Sequence, residues 1–386
     1  MSFFHAKASN RHQCNTILRI RDSHDTWQDD EGEIGRTFVE YFEEIFTSSQ
    51  PNVSAKLIDV VPTIVTYRMN SRLLQEFQDF EVEQALKQMH PMKAPGPDGM
   101  PPLFYQHFWP IVKSIVIQTV LDFLNHGVAP PKFHETHIFL IPKIKNPERV
   151  TDYRPISLCN VAYKLASKAM ANKLKMVLKE IVCENQSAFI SERLITDNVL
   201  VAHELMHHIN RKKKGKCGEM ALKLDMSEAY DRVECLQQIM TKIGFHENWT
   251  RLVISCVSSI TYAVRINGKP CGQITPTWGL RQGDPLSLYL FLICAEGLSD
   301  LLHKSVHSKT LRGVAAFAKG PRISHMFFAD DSLIFGRATI QECEEIQRVL
   351  WVYEASSSQQ LNRNKTSLFF SNNTANGVQS AGHKTT

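Results

Sequence analysis

The chain has 386 residues, 43% of them hydrophobic and 22% charged, and its 44 basic and 39 acidic side chains leave a net charge of +5. That length allows two or three lobes with real cores, the balance is that of an ordinary globular chain, and so small a charge excess does not by itself imply nucleic acid. The scattered cysteines include no CxxC pair, against a zinc ribbon, and no 18-residue apolar run or signal-peptide pattern appears, so the expected setting is intracellular, nuclear or cytoplasmic, with no membrane partner.

Residues 1–90 read as a mostly helical linker segment, in which Phe38, Phe42 and Phe46 recur every four residues along one helix face. "DFEVEQALKQM" opens on an Asp suited to capping a helix. The Pro- and Gly-dense stretch 90–102 is non-helical, and a helix is expected across 103–126, ending near Gly127. "THIFLIPKIKN", 136–146, reads as a strand and basic turn; "DYRPISLCNVAYKLASKAM" starts as a loop and becomes an amphipathic basic helix; another helix covers about 194–211. "RKKKGKCG", 211–218, is a cationic turn whose ordinary reading is a solvated loop. "EMALKLDMSEAYDRV" runs from strand to helix, and Asn267-Gly268 marks a hairpin turn. An apolar helix from "DPLSLYLF", the "FFADDSLIF" strand pair, a helix over 339–355 and a polar, disordered tail over 371–386 complete the chain.

"HELMH", residues 203–207, matches the zincin pattern HExxH, with Glu228 as a conceivable third ligand. Glu228 lies across a Lys-rich turn, and five residues with two free positions arise by chance, so no zinc is expected.

The stretch "MFFADDSLIF", 326–335, sets Asp330 and Asp331 side by side within an apolar run. Read as a strand entering a core, it poses a cost, because adjacent buried carboxylates repel each other and lose hydration. Asp225 closes another apolar strand in "ALKLDMSEAYD". Two such strands meeting at one sheet edge would let the three carboxylates hold two divalent cations, whose charge offsets the repulsion. Hard oxygen donors favour Mg²⁺ or Mn²⁺, and an ion pair about 4 Å apart suits in-line phosphoryl transfer.

These residues belong to seven collinear blocks: "KAPGPDGMPPLFYQHFW", "IFLIPKIKNPERVTDYRPISLCNVAYK", "ENQSAFISERLITDNVL", "LKLDMSEAYDRVEC", "GLRQGDPLSLYLFLICAEGLS", "FFADDSLIF" and "YEASSSQQLNRNKTSLFFS". Together they resemble the reverse transcriptase of LINE-type non-LTR retrotransposons, especially plant elements, over roughly residues 3–370. The resemblance implies an α+β right-hand polymerase core with an antiparallel palm sheet packed on helices. Fingers are expected over 91–220 and palm over 221–370. It further implies a truncated copy, with the thumb largely missing and the endonuclease domain upstream of the start.

The implied activity is RNA-directed DNA polymerisation with RNA template, DNA primer and dNTP; the alternative is a folded, catalytically inactive remnant that binds nucleic acid. By the same resemblance Asp225, Asp330 and Asp331 are the catalytic set and, with the Met226 carbonyl, the ligands of two Mg²⁺ or Mn²⁺ ions. Tyr230 matches the steric gate against a 2′-hydroxyl. Arg281, Gln282 and Gly283 match the loop facing nucleotide and template, and Lys143 and Arg154 match fingers residues on the triphosphate. Lys365 matches a lysine placed to protonate departing pyrophosphate. The chain departs from the family pattern at Leu288 for Pro, Cys235 for Trp, Ser191-Glu192 for Pro-Gly and Ser358 for Gly. None removes a metal ligand, but Ser358 is strained wherever the backbone requires positive φ.

Overall fold

Hydrophobic stripes and caps account for most of the elements in the computed structural model, which describes residues 15–47, 55–227, 230, 233, 235–317, 319–375 and 377–379. Strands β1 (Ile20–Arg21) and β2 (Trp27–Gln28) precede helix α1 (Glu31–Phe46). Asp30 caps α1 by accepting from the Gly32 and Glu33 N–H groups, and Phe38, Phe42 and Phe46 line its buried face as their spacing predicts. Helices α2 (Ala55–Ile58), α3 (Tyr67–Leu73) and α4 (Asp79–Lys87) follow. The expected Asp cap of α4 is corrected: Asp79 is already helical, and Glu81 accepts the N–H of the cap residue Gln78 at 2.8 Å. The expected helix over 103–126 is two, α5 (Pro102–His107) and α6 (Trp109–His126), because Pro110 has no N–H to continue the first and suits the opening turn of the second. Gly127 closes α6 at φ 72°.

Strand β3 (Glu135–Pro142) pairs with β4 (Tyr153–Cys159), where a loop was expected. Pro155 is accommodated there because β4 is an edge strand, where a missing N–H is tolerated. Next come α7 (Val161–Ile181), α8 (Ile195–Arg211), β5 (Gly218–Leu224), β6 (Met226–Ser227), α9 (Leu236–Ile243) and α10 (Glu247–Ser258). The hairpin β7 (Thr261–Ile266) to β8 (Lys269–Ile274) turns at Asn267 (φ 47°) and Gly268 (φ 89°), the double positive φ of a type I′ turn. Then follow α11 (Ser287–His307), β9 (His325–Phe328), β10 (Asp331–Ala338), α12 (Ile340–Ser357), β11 (Gln360–Leu361) and β12 (Ser367–Phe370). The α+β class holds. No helix among the described residues is long and apolar enough to cross a membrane.

Two compact units emerge, one from residues 1–48, 75–172 and 251–287, the other from 49–74, 173–250 and 288–386. They do not coincide with the contiguous blocks 1–90, 91–220 and 221–370, because distant strands complete each sheet. In the first unit the strand order is β4-β3-β7-β8, with β3 and β7 parallel. Ile34, Phe38 and Phe42 of α1 share its core with Ile138, Leu140, Val264 and Ile266. In the second unit the order is β12-β5-β10-β9, antiparallel throughout. Its core joins Leu205 and Ile209 of α8 to Ala221, Met326 and Phe335 of the sheet.

The tail expected to be disordered from Ser371 is corrected in part. Ser371 is 0% exposed, and its N–H and hydroxyl join the Glu219 backbone at 2.8 Å each. Residues 380–386 of that tail lie outside the described residues. Two positions where the resemblance expects glycine carry left-handed backbone on other residues, Glu192 at φ 68° and Ser358 at φ 61°.

Candidate functional site

Backbone register gathers the predicted carboxylates at one end of the second unit's sheet. β5 and β10 pair with Ser332 opposite Leu224. Asp225 directly follows Leu224 and Asp331 directly precedes Ser332, so both carboxylates stand at the same end of this strand pair. Asp330 sits in the two-residue turn joining β9 to β10, beside the pair Phe328–Asp331.

The expected strand pair is the β9–β10 hairpin, but the reading of the carboxylates as entering a core is corrected: Ala329 (φ 53°) turns the chain so that Asp330 and Asp331 are exposed. The apolar residues on each side go inward, Phe327 and Phe335 to 2% and 0% exposure. Water meets most of the hydration cost that a core placement would have incurred.

This strained turn is held from outside the sheet. The buried Gln186 side chain accepts the Ala329 N–H at 3.1 Å and the Ala188 N–H at 2.9 Å. The Phe327 N–H donates to Asn185 O at 2.8 Å, its carbonyl accepts Asn198 Nδ2 at 3.1 Å, and Asn185 Nδ2 reaches His325 O at 2.6 Å. The 185–187 segment thus satisfies the outer edge of β9. Sequence reading missed Gln186 as a positioning residue. Its only signal was the polar "ENQ" triplet opening one of the seven blocks.

Other predicted residues lie in the same unit. Lys365 Nζ is 3.8 Å from Asp225 Oδ2, and Asn362 N–H donates to the Asp225 carbonyl at 2.8 Å. Met226 lies in β6, paired with Leu361 of β11. The Tyr230 ring packs on Phe291 with centroids 4.9 Å apart. Burial, and then the nearby Asp330 carboxylate, push its phenol up to about 12, so it stays a neutral hydroxyl.

The remaining predicted residues belong to the first unit. Gly283, at φ 107°, is exposed, and a Cβ there would meet Ser157 O at 3.3 Å. Gln282 O accepts the Ser157 N–H at 3.0 Å, pinning this loop to β4. Arg154 is exposed on β4, and Lys143 Nζ donates to Thr151 O at 2.8 Å.

Arg281 corrects its expectation of facing a nucleotide. It is 2% exposed, with its guanidinium carbon 3.9 Å over the Tyr163 ring and Nη1 3.9 Å from Asp284 Oδ2. Asp284 accepts from Tyr163 OH at 2.8 Å, from Ser167 Oγ, and from the Leu286 N–H at 3.0 Å. Arg281 thus stacks on Tyr163 inside the first unit, with its Nε, Nη1 and Nη2 buried and without a hydrogen-bond partner among the described residues.

Among the described residues, no group of three or more His, Cys, Asp or Glu side chains is placed to hold a metal ion by itself. The donor chemistry nevertheless fits Mg²⁺ or Mn²⁺. Such ions take one or two carboxylates and complete their shells with water and substrate phosphate oxygens, which an exposed, open carboxylate edge permits. On α8, the His203 and His207 rings stack 6.4 Å apart, and Glu228 lies outside the described residues.

Residues 141–384 match the family model for reverse transcriptase (RNA-dependent DNA polymerase). The chain is similar to the 149 kDa protein of transposon TX1 from Xenopus laevis, 29% identical over 336 residues, covering 85% of this chain and 24% of that protein. It is also similar to the Pol polyprotein of the type-1 retrotransposable element R2 of Popillia japonica, 24% identical over 258 residues, 66% of this chain and 34% of that protein. An uncharacterized mitochondrial protein of Arabidopsis thaliana is 51% identical over 67 residues, 17% of this chain and 55% of that protein. The chain spans from about a quarter to just over half the length of these relatives.

Proposed function

The chain belongs to the reverse transcriptase family, and on that premise we propose that it is the RNA-directed DNA polymerase core of a non-LTR, LINE-type retrotransposon. The observation that carries the reading is the β5–β10 register, which brings Asp225 beside the Asp330–Asp331 hairpin from 105 residues away in sequence. In this reading the second unit contains the palm, and the first contributes the fingers.

A primer 3′-hydroxyl attacks the α-phosphate of a dNTP, a new phosphodiester forms, and the bond to pyrophosphate breaks. Asp225, Asp330 and Asp331, with the Met226 carbonyl, would hold two Mg²⁺ or Mn²⁺ ions. Bound there, they supply positive charge that eases deprotonation of the attacking hydroxyl and offsets charge on the leaving phosphate. Tyr230, kept neutral and backed by Phe291, presents an apolar ring where a sugar 2′-hydroxyl would clash. Lys365, 67% exposed beside Asp225, is free to approach a departing pyrophosphate and give up a proton. Within the first unit, Lys143 and Arg154 would offer cations to phosphate oxygens, and Gly283 would let a ligand come close to the backbone.

The test is primer extension by the full chain on primed poly(rA) with dTTP and Mg²⁺ or Mn²⁺, beside Asp330→Asn. Extension by the wild type and its loss in the variant are expected. Wild-type synthesis no greater than the variant's background would refute the polymerase reading.

A further inference from the structure

The cationic turn at 211–216 has no part in the chemistry above, yet it is a built feature. Arg211, Lys213, Lys214 and Lys216 are all exposed. The nearby carboxylate of Glu219 is already occupied, by Lys212 at 2.8 Å and His208 at 2.9 Å. The turn's backbone is fixed from the other side: Asn373 Nδ2 donates to the carbonyls of Lys214 at 3.3 Å, Gly215 at 3.2 Å and Cys217 at 3.2 Å. Asn372 Nδ2 adds Asn210 O at 2.9 Å. A solvated loop has no need of an asparagine bonded to three of its carbonyls.

From this arrangement we propose that residues 211–216 form a second nucleic-acid contact, a fixed cationic turn that takes the phosphodiester backbone of RNA without reading its sequence. It lies at the opposite end of β5 from Asp225, about 23 Å away at roughly 3.3 Å per residue. It is therefore separate from the carboxylate edge. The composition selects the partner. Stretch 211–216 holds five cations and a glycine, with no aromatic or aliphatic side chain. A protein partner would need an apolar anchor to bury, whereas phosphate contacts need only cations and gain affinity by releasing counterions. Fixing the backbone lowers the ordering cost of displaying those cations. The choice of RNA over another polyanion rests on the polymerase reading; the placement of the site does not.

The test is fluorescence anisotropy of a labelled single-stranded RNA bound by the full chain in EDTA without dNTP, from 50 to 200 mM salt. Each phosphate contact contributes about 0.7 to the slope of log K against log salt for single strands. Replacing Arg211, Lys213, Lys214 and Lys216 together by Gln is expected to cut the slope by roughly 2–3 and to weaken binding more than tenfold at the lower salt. The charge-keeping variant with Lys213, Lys214 and Lys216 changed to Arg should retain the slope. Asn373→Ala, which frees the turn but keeps its charge, should weaken binding several-fold. A thermal melt of each variant matching wild type keeps folding out of the comparison. An unchanged slope in the Gln variant would overturn the proposal, as would preferential binding of phosphatidylserine vesicles through these residues. If wild type fails to extend a primer but the slope still falls in the Gln variant, the RNA contact stands and the polymerase reading falls. If wild type extends a primer and the slope is unchanged, the polymerase reading stands and the RNA contact falls.

Discussion

Ser358 ends α12 with φ 61° and ψ 2°, and its N–H still donates to Glu354 O at 3.0 Å. This left-handed position suits glycine, because a Cβ there crowds the following carbonyl at a cost of about 1–2 kcal/mol. Glycine in turn gives up roughly 0.5–1 kcal/mol through its freer unfolded chain. Ser358→Gly should therefore stabilise the second unit by about 0.5–1 kcal/mol, minus whatever the hydroxyl contributes. Ser358→Ala removes the hydroxyl and keeps the Cβ, so the Gly–Ala difference isolates the backbone effect. For a unit of this size that difference is a Tm gain of roughly 1–4 °C, read by differential scanning calorimetry or by urea midpoints at constant m value. An Ala variant as stable as the Gly variant would show that the positive φ carries no strain and refute the reasoning.

Gln186→Leu keeps the volume but leaves the Ala188 and Ala329 N–H groups without their acceptor; we expect a loss of about 1–3 kcal/mol. Extension rate should fall further than stability, and a variant of wild-type rate would mean that the Asp330 turn is held by other contacts. Glu296→Gln tests a pH effect. Burial raises this carboxyl from its ordinary 4.5 to about 8 and Asp300 to about 7, while His325 is held down to about 3. Between pH 4.5 and 8 the folded state holds the Glu296 proton that the unfolded state has released, so stability falls as pH rises through that window. His325 acts in the opposite sense, and its contribution is lost as pH falls from 6.5 toward 3. The Gln variant should flatten the alkaline side of a Tm profile and leave the acid side intact; an unchanged alkaline slope would rule out Glu296 as its source.

Local chemistry made much of the fold legible. The Phe38, Phe42 and Phe46 stripe, Asn267-Gly268 and Gly127 each carry a helix face, a turn or a stop within a few residues of sequence. β4 was hidden because Pro155 speaks against a strand until the strand is known to lie on an edge. The turn at Ala329 was hidden for a different reason: alanine gives no sign of positive φ, and Gln186, which holds the turn, is 143 residues away.

The candidate site shows the same limit more sharply. Asp225, Asp330 and Asp331 were legible because carboxylates beside apolar strands are costly wherever water or cations do not reach them. Arg281, Gln282 and Gly283 looked equally legible as a ligand-facing unit, yet consecutive residues of a tight loop cannot all face one way. Here Arg281 points inward over Tyr163, Gln282 spends its carbonyl on Ser157, and Gly283 alone is exposed. The cationic and amide side chains of such a motif read as phosphate ligands in sequence, but a guanidinium is also a flat group able to stack on an aromatic ring in a core. Which role it takes is decided by Tyr163 on α7, more than a hundred residues earlier, and by Asp284, which that tyrosine anchors. A motif therefore marks a loop as functional more securely than it marks each of its residues as a contact.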